Sequence, residues 1–363
     1  MAIEFDEFGP ERILELYDPK TKMHGFAVLY NTALGPAKGG VRMSPSADKE
    51  EAFGLARAMA FKCALANLPF GGGKSVIIAD SKKLTSEEKK EVVRAFAKGI
   101  KPVSPNYYVT APDMYMAEEE MRIIADENGN KSVTGKPADL GGIPHELGST
   151  GFGVAQATKI AAEFLGIVLR DAKVAIEGFG NVGTFAMKFL TEWGAKVIAV
   201  SDSKGVIYSE DGLDYEKLMQ VKKESGSVVN YEDGEKKENE ELFKLDVDFL
   251  IPGALPDVIT DKNVNDVRAK CIVEAANIPM TPEIEEELHK KNILVIPDFV
   301  ANAGGVISSY VEYIEGTIDD MWAMIEKKIT ENTRLVLEKA KEKNVKPRDA
   351  AMKIAKERIR EKM

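Results

Sequence analysis

The sequence predicts a two-domain α/β protein. Its 363 residues exceed the roughly 150 that are typical of one domain. Short apolar stretches alternate with segments of helical periodicity along most of the chain, which is the pattern of an α/β fold. A glycine-rich stretch at residues 132–150 interrupts this alternation. We therefore place one domain at 1–132 and another at 133–320, and we expect helices in 321–363 to pack back onto the first.

The elements of the first domain follow from local patterns. Runs of β-branched and aromatic residues predict strands, and apolar residues at helical spacing predict helices. Glycine and proline predict loops at 35–40 and 68–74. The predicted strands are 25–30, 75–79 and 107–110, and the predicted helices are 86–100 and 48–65, the latter capped by Asp48.

The second domain and the tail are assigned by the same patterns. Residues 232–241 are predicted to form a charged loop, and two amphipathic helices are predicted from Asp319 onward. The predicted strands are 173–177, 196–201, 247–252, 271–275 and 293–297, and the predicted helices are 151–165 and 184–193.

Composition excludes several classes of protein. Lys+Arg total 49 against 59 Asp+Glu, so the net charge is −10, which argues against a nucleic-acid partner because that surface needs positive charge. No uninterrupted apolar stretch is as long as a membrane span, which needs about 18 residues. The acidic N-terminus does not resemble a signal peptide. Two cysteines and three scattered histidines offer neither a disulfide framework nor a metal site. We expect a cytoplasmic protein without a metal.

Gly178, Gly180 and Gly183 form a GxGxxG pattern between a predicted strand and a predicted helix. Such glycines allow a tight turn, a close approach of backbone to a pyrophosphate, and close packing of helix on strand. The next strand ends at Asp202, where a carboxylate can accept hydrogen bonds from the adenine ribose. The alternative is a glycine-rich turn that binds nothing. The pattern predicts a Rossmann domain that binds NAD, although Ser203 and Lys204 leave NADP possible.

Lys74 follows three glycines in the segment Leu68–Ser75. A Walker A loop would need a glycine where Leu68 stands, so this segment is not a P-loop. A lysine held in a partly dry cleft has a lowered pKa and can exchange protons near neutral pH. Lys62 lies among apolar residues, Lys38 stands beside two glycines, and Asp113 ends a strand. Each residue alone is more often structural, but together they predict a pocket for a dianionic small molecule.

These residues make the chain similar to the glutamate/leucine/phenylalanine/valine dehydrogenase family, whose active-site signature resembles Leu68–Ser75. The resemblance extends over nearly the whole chain. The other motifs that carry it, in chain order, are Gly39–Met43, Thr110–Asp113, Gly178–Gly183, Glu274–Asn277 and Asn302–Val306.

The resemblance implies reversible, NAD(P)-dependent oxidative deamination of an L-amino acid to a 2-oxo acid and ammonia. It implies that Lys62 binds the substrate α-carboxylate, that Lys74 activates the attacking water, and that Asp113 shuttles protons at the amino nitrogen. Catalysis is expected in a cleft between the two domains. Asn277 and Asn302 would place the nicotinamide and the substrate. The dinucleotide site implied by the resemblance also includes Thr150, Phe179, Asn181 and Val182, together with Asn277 and the three glycines.

Substrate choice within the family points to an acidic side chain. Glutamate-specific members resemble this chain at Lys38 and Ser309, where both residues contact the γ-carboxylate, so L-glutamate and 2-oxoglutarate are the predicted substrates. The stretch before Gly25 is short, as in leucine-type members, which keeps a branched-chain amino acid open as the alternative substrate. A homo-oligomer, hexamer or octamer, is expected. A protein that senses NAD without turnover is a minor alternative, since it would tolerate loss of Lys74 and Asp113.

Overall fold

The computed structural model describes residues 3–363, apart from the side chain of His145. It divides into two compact units. The first unit contains the described residues up to His145, Val306–Met321 and Met352–Met363, and the second contains Glu146–Gly305 and Trp322–Ala351. The first crossing thus lies 13 residues beyond the predicted boundary at residue 132, and residues 322–351 of the predicted helical tail group with the second unit rather than the first.

The first unit is built on a five-stranded mixed sheet with the order β1-β2-β4-β3-β5. Strands β1, β2 and β4 are antiparallel neighbours, whereas β3 runs parallel to both β4 and β5. The elements are β1 (Arg12–Asp18), β2 (Met23–Asn31), β3 (Ala37–Met43), α1 (Lys49–Leu65), β4 (Gly71–Ile77), α2 (Ser86–Ile100), β5 (Tyr108–Pro112) and α3 (Glu118–Asn128). The predicted helices and strands of this unit are present, and Asp48 caps α1 by accepting the Glu51 amide.

Two segments predicted as loops are strands. Residues 37–40 belong to β3 and residues 71–74 to β4, the central strand of the sheet. A Cβ on Gly39 would lie 1.6 Å from the Gly73 carbonyl oxygen, and one on Gly72 would lie 2.3 Å from the Ala60 nitrogen of α1. Glycine is therefore required here because neighbouring backbones approach closely, and the same residues read locally as turn formers.

The second unit contains a seven-stranded sheet with the order β12-β11-β10-β6-β7-β8-β9. The first five strands in this order are parallel, and β8 and β9 complete the edge as antiparallel strands. The elements are α4 (Ser149–Leu165), β6 (Lys173–Glu177), α5 (Asn181–Glu192), β7 (Lys196–Asp202), β8 (Gly205–Tyr208), α6 (Tyr215–Ser225), β9 (Glu235–Lys237), β10 (Phe249–Pro252), β11 (Cys271–Val273), α7 (Pro282–Lys290), β12 (Leu294–Ile296) and α8 (Asp298–Ala301).

All five strands predicted for this unit are confirmed, whereas β8 was not predicted and β9 lies inside the predicted charged loop. From β6 the chain adds β7 on one side and later returns to place β10 on the other. Ligands of open α/β sheets bind at the carboxyl ends of strands where the order reverses in this way. The glycine loop that follows β6 lies at that position.

Three helices end the chain: α9 (Gly304–Tyr313), α10 (Ile318–Lys343) and α11 (Pro347–Arg360). The predicted pair of terminal helices is thus confirmed. Each unit has its own apolar core, between sheet and helices, formed by residues such as Phe96 and Ile100 in the first and Ile198 and Leu250 in the second. Across the described part of the chain, none of the helices combines the length and the apolar character needed to cross a membrane.

Candidate active site

Four of the predicted site residues lie on neighbouring elements of the first unit. Lys38 is on β3, Lys74 is on β4, Asp113 directly follows β5, and Lys62 is in the last turn of α1. Because β3, β4 and β5 are parallel neighbours, their side chains reach one part of the sheet. The sheet therefore assembles residues that are up to 75 positions apart in sequence.

Lys74 and Asp113 form a direct ion pair in which the lysine ammonium donates to Asp113 Oδ2. Lys74 is 6% exposed. Burial is the main reason that its pKa falls to about 7, and the positive charge of Arg42 lowers it further. The negative charge of Glu51 acts in the opposite direction and raises the pKa. A lysine poised in this way can give up or accept a proton at neutral pH.

Arg42 contacts the candidate catalytic aspartate but was not singled out from the sequence. Its Nε and Nη2 each lie 3.2 Å from Asp113 Oδ1, and its other terminal nitrogen pairs with Glu51. The amide of Met114 also donates to Asp113 Oδ1, at 2.6 Å. The sequence feature that could have pointed to Arg42 is its position inside the Gly39–Met43 motif. Asp113 is thus held by donors from two strands and its own loop.

Lys38 is buried, with 2% of its surface exposed, and its ammonium donates to the Thr110 carbonyl oxygen at 2.8 Å. Burial lowers its pKa to about 7. The charges of Lys38 and Lys62 both act on Lys74, so both ammonium groups lie within electrostatic range of Lys74. Ser309, the other predicted specificity residue, is half-buried on α9.

The glycine loop of the second unit has the geometry that the pattern predicts. Gly178 adopts a φ of +90°, which favours glycine, and a Cβ there would lie 2.5 Å from the side chain of Ala254. A Cβ on Gly183 would lie 1.9 Å from the Gly178 carbonyl oxygen. These two glycines serve the turn and the packing of α5 against β6. Glu177 supports the same place by accepting the amides of Gly253 and Ala254 at the end of β10.

Gly180 differs from its two partners because a Cβ there would meet nothing within 4 Å. It is exposed and precedes α5, whose N-terminus receives no side-chain cap from the described residues. Uncapped amides at a helix N-terminus attract anions such as a pyrophosphate. Asn181 and Val182 begin the helix half-buried, and the buried Oδ1 of Asn181 has no partner among the described residues. Phe179 is buried beneath the turn.

Asp202 ends β7 as predicted, but its carboxylate already accepts four hydrogen bonds. The donors are the amides of Lys204 and Val228, the Ser227 hydroxyl, and the Lys222 ammonium at 2.9 Å. Burial opposes ionisation, yet these bonds outweigh it and hold the pKa of Asp202 below its usual value. Because Lys222 neutralises the charge, the carboxylate does not repel a 2′-phosphate as a free one would. The NAD preference inferred from Asp202 is weakened accordingly.

Asn277 and Asn302 meet each other in the second unit. Asn302 ends α8 and donates to Asn277 Oδ1 at 3.0 Å and to the Ala275 carbonyl at 3.2 Å. Its own Oδ1 is buried and has no partner among the described residues, so it can accept a hydrogen bond from a ligand amide. Asn277 itself is exposed after β11, and Thr150 is half-buried in the first turn of α4.

Arg348, which the sequence did not indicate, braces the loop that carries Asn277. From the start of α11 it donates to the carboxylates of Glu274, Glu285 and Asp298, at 2.6, 2.7 and 3.0 Å. Asp298 in turn accepts the amide of Ile278, next to Asn277. Burial raises the pKa of Glu274 well above its usual value, and the Arg348 charge acts against this rise.

Two family profiles match this chain. Residues 141–363 match the profile described as Glutamate/Leucine/Phenylalanine/Valine dehydrogenase, and residues 10–130 match that of the Glu/Leu/Phe/Val dehydrogenase dimerisation domain. Together the two matches cover most of the chain, and they agree with the resemblance carried by the motifs.

Individual proteins of known activity are similar over most of their length. The glutamate dehydrogenase of Aeropyrum pernix is 43% identical over 355 residues, covering 92% of this chain and 84% of that protein. The NADP-specific glutamate dehydrogenase of Saccharolobus shibatae is 43% identical, with coverages of 84% and 75%. The NAD-specific glutamate dehydrogenase of Staphylococcus aureus is 39% identical, with coverages of 87% and 78%.

Among solved structures, the glutamate dehydrogenase from Peptoniphilus asaccharolyticus superposes with a TM-score of 0.88 at 30% identity, covering 98% of this chain and 91% of that one. The predicted α/β fold with two domains is therefore confirmed.

Proposed function

The chain belongs to the glutamate/leucine/phenylalanine/valine dehydrogenase family and is thus an NAD(P)-dependent amino acid dehydrogenase, and from this premise we propose that its substrate is L-glutamate. The products are 2-oxoglutarate and ammonia, and the reaction is reversible. All three relatives described above are named glutamate dehydrogenases, which supports this choice.

The observation that carries the proposal is the buried ammonium of Lys38. It donates to a carbonyl oxygen, and no carboxylate of residues 3–363 forms an ion pair with it. A buried cation without a counter-anion is costly, whereas a substrate side-chain carboxylate would provide that anion. An aliphatic side chain placed there would leave the charge uncompensated, so the site favours an acidic substrate.

The roles proposed for the remaining residues are those that the family resemblance implies, and the contacts around Lys74 and Asp113 support them. Lys62 binds the α-carboxylate, and Asp113 takes a proton from the substrate nitrogen and later returns one to the departing ammonia. Lys74, in its neutral form, takes the proton of the water that attacks the imine carbon. Ser309 assists Lys38 at the γ-carboxylate. Arg42 holds Asp113 in place for this exchange, which is a positioning contribution.

The second unit fits a dinucleotide. The uncapped N-terminus of α5 and the open space at Gly180 suit a pyrophosphate, and the unpartnered Oδ1 of Asn302 suits the nicotinamide carboxamide. Asn277 and Thr150 complete the set, and Asp202 with Lys222 lies where the adenine ribose would bind. A bound NAD(P) would supply the oxidant, taking up the substrate Cα hydrogen together with its electron pair as a hydride. The pairing of Asp202 with Lys222 supports use of both NAD and NADP.

We also propose that the protein is a homo-oligomer, because residues 10–130 match a dimerisation-domain profile. Strand β1 lies at the edge of the first sheet and exposes Tyr17, which provides an edge for association. Size-exclusion chromatography with light scattering would measure the molar mass of the protein in solution, and the mass of a monomer would contradict this proposal. The cytoplasmic location and the choice between hexamer and octamer stay predictions.

The experiment that tests the proposed function is a substrate panel. Initial rates of NADH and NADPH formation are compared for L-glutamate, L-leucine, L-valine and L-norvaline, whose side chain lacks the carboxylate. We expect kcat/KM to be highest for glutamate. Preferential turnover of leucine or valine would keep the family and its chemistry but replace glutamate by a branched-chain substrate.

A further inference from the structure

We propose that the buried ion pair between Lys136 and Glu312 sets the charge of Lys38 and thereby the preference for an acidic substrate. This inference rests on the proposed function, since it extends the specificity role given to Lys38. Neither residue touches the substrate in this account, so both are positioning and charge-setting residues.

The Glu312 carboxylate is almost completely buried and is held by three donors of the first unit. It accepts the amides of Lys136 and Ile143, at 3.3 and 3.0 Å, and its Oε1 lies 3.4 Å from the Lys136 ammonium. The exposed fractions of the two side chains are 7% for Lys136 and 1% for Glu312. The two backbone amides fix the position of the Glu312 side chain independently of the lysine.

A short chain of contacts connects this pair to Lys38. The Thr110 carbonyl oxygen accepts both the Lys38 ammonium at 2.8 Å and the amide of Thr134 at 3.0 Å. Lys136 follows Thr134 by two residues. Glu312 lies on α9 one turn after Ser309, so the same carboxylate also ties the helix that carries Ser309 to the segment beside Lys38.

The charges of the pair act on Lys38 with opposite signs. Glu312 favours the protonated ammonium and Lys136 disfavours it, while burial lowers the pKa of Lys38 to about 7. Near that value, small changes in the local potential change the fraction of charged Lys38 strongly. At pH 7 about half of the enzyme would carry the cation that a γ-carboxylate requires.

Other titratable groups face Lys38 from the elements packed against it. Cys63 on α1 is buried and its pKa is raised to about 12, so it is a neutral thiol at neutral pH. Lys74 on β4 adds positive charge, and Asp113 offsets it through their ion pair. Lys62 on α1 acts in turn on Lys74 and on Cys63. Glu312 is the carboxylate that most favours protonation of Lys38, which makes it the decisive group.

The test compares Glu312→Gln, Glu312→Asp and Lys136→Met with the wild-type enzyme. The quantity measured is the ratio of kcat/KM for L-glutamate to kcat/KM for L-norvaline between pH 6 and 9. Ionisations of Lys74 and Asp113 affect both substrates and cancel in this ratio, whereas Lys38 affects only the acidic one. A shift of about one pKa unit changes the charged fraction about fivefold at the midpoint.

We expect the wild-type ratio to fall as the pH rises through about 7, because Lys38 loses its proton. Glu312→Gln should lower the ratio about fivefold at pH 7 but only about twofold at pH 6, and Lys136→Met should raise it about fivefold at pH 8. Glu312→Asp keeps the charge and should behave like the wild type. If Glu312→Gln does not fold, Lys136→Met still tests the inference, because it should move the pH midpoint of the substrate ratio upward.

The inference would be overturned, with glutamate still the substrate, if the pH midpoint of the glutamate-to-norvaline ratio were the same in both variants as in the wild type. It would also be overturned if Glu312→Gln and Lys136→Met moved that midpoint in the same direction. A wild-type enzyme that prefers norvaline or leucine over glutamate would instead overturn the proposed function, and the inference with it.

Discussion

Replacing Gly72 by alanine should both destabilise the protein and disable it. A Cβ at this position would lie 2.3 Å from the Ala60 nitrogen and 2.4 Å from the Ala56 carbonyl oxygen, both in the backbone of α1. An ordinary van der Waals contact needs at least 3.4 Å, so α1 must move away from β4 by about 1 Å. Overpacking of this kind costs about 1–3 kcal/mol of unfolding free energy.

The same displacement separates two residues of the candidate site, because Lys62 lies on α1 and Lys74 lies on β4. A misplacement of about 1 Å can reduce catalysis about 100-fold, so we expect a loss of that order in kcat/KM for glutamate. Gly54 provides a matched control on the exposed side of α1, where an added Cβ would meet nothing within 4 Å. Gly54→Ala should stabilise the protein by about 0.5–1 kcal/mol and leave kcat/KM unchanged.

Urea unfolding followed by circular dichroism measures the stability of both variants, and initial rates of NADH formation measure their activity. The reasoning would be refuted by a Gly72→Ala enzyme that matches the wild type in both respects. That result would mean that α1 and β4 are not in the close contact that the structure shows.

Three further predictions concern the two candidate sites. Lys74→Ala should abolish deamination without weakening NADH binding measured by fluorescence titration; a loss of NADH affinity in the variant would show that Lys74 is misassigned. In the wild type, kcat/KM for L-norvaline, which does not depend on the charge of Lys38, should rise with pH through about 7 as Lys74 loses its proton. Gly180→Val should raise KM for NAD at least tenfold (about 1.4 kcal/mol) with an unchanged melting temperature, since an added Cβ meets no protein atom within 4 Å; unchanged KM would remove the pyrophosphate from this turn. Arg348→Met should lower the free energy of unfolding, measured by urea unfolding, by about 3–5 kcal/mol at pH 8, because buried carboxylates lose their counter-charge. Because the pKa of Glu274 is raised, the folded state keeps a proton that the unfolded chain releases above about pH 4.3. The loss of stability in Arg348→Met should therefore become smaller as the pH falls. A loss of stability that is independent of pH would contradict this explanation.

Much of this protein was predictable from short stretches of sequence. Helix α2 (Ser86–Ile100) and strand β6 (Lys173–Glu177) have the predicted bounds, because each has an uninterrupted period and a clear boundary. The glycine turn at Gly178 was identified for the same reason, since a strand, a turn and a helix are contiguous in the chain. Family membership was predictable as well, because several short motifs occur in a fixed order.

The run Gly71–Gly73 shows where local reasoning failed. Three consecutive glycines predict a loop, yet they form part of the central strand β4. Glycine is needed there because α1 and neighbouring strands approach the backbone too closely for a Cβ, and these neighbours are distant in the sequence. Residue propensity describes one segment by itself, and the packing of another element against it decides the outcome.

The sequence by itself determined the family, most of the helices and strands, and the glycine turn after β6. Only the tertiary structure decided which charges neutralise one another. Arg348 meets carboxylates 50 to 74 positions away, and Glu312 accepts the amide of Lys136 from 176 positions away. Ionisation depends on burial and on charges nearby in space, and no periodicity or motif in the chain records those distances. The protonation of Lys38 is therefore a property of the fold.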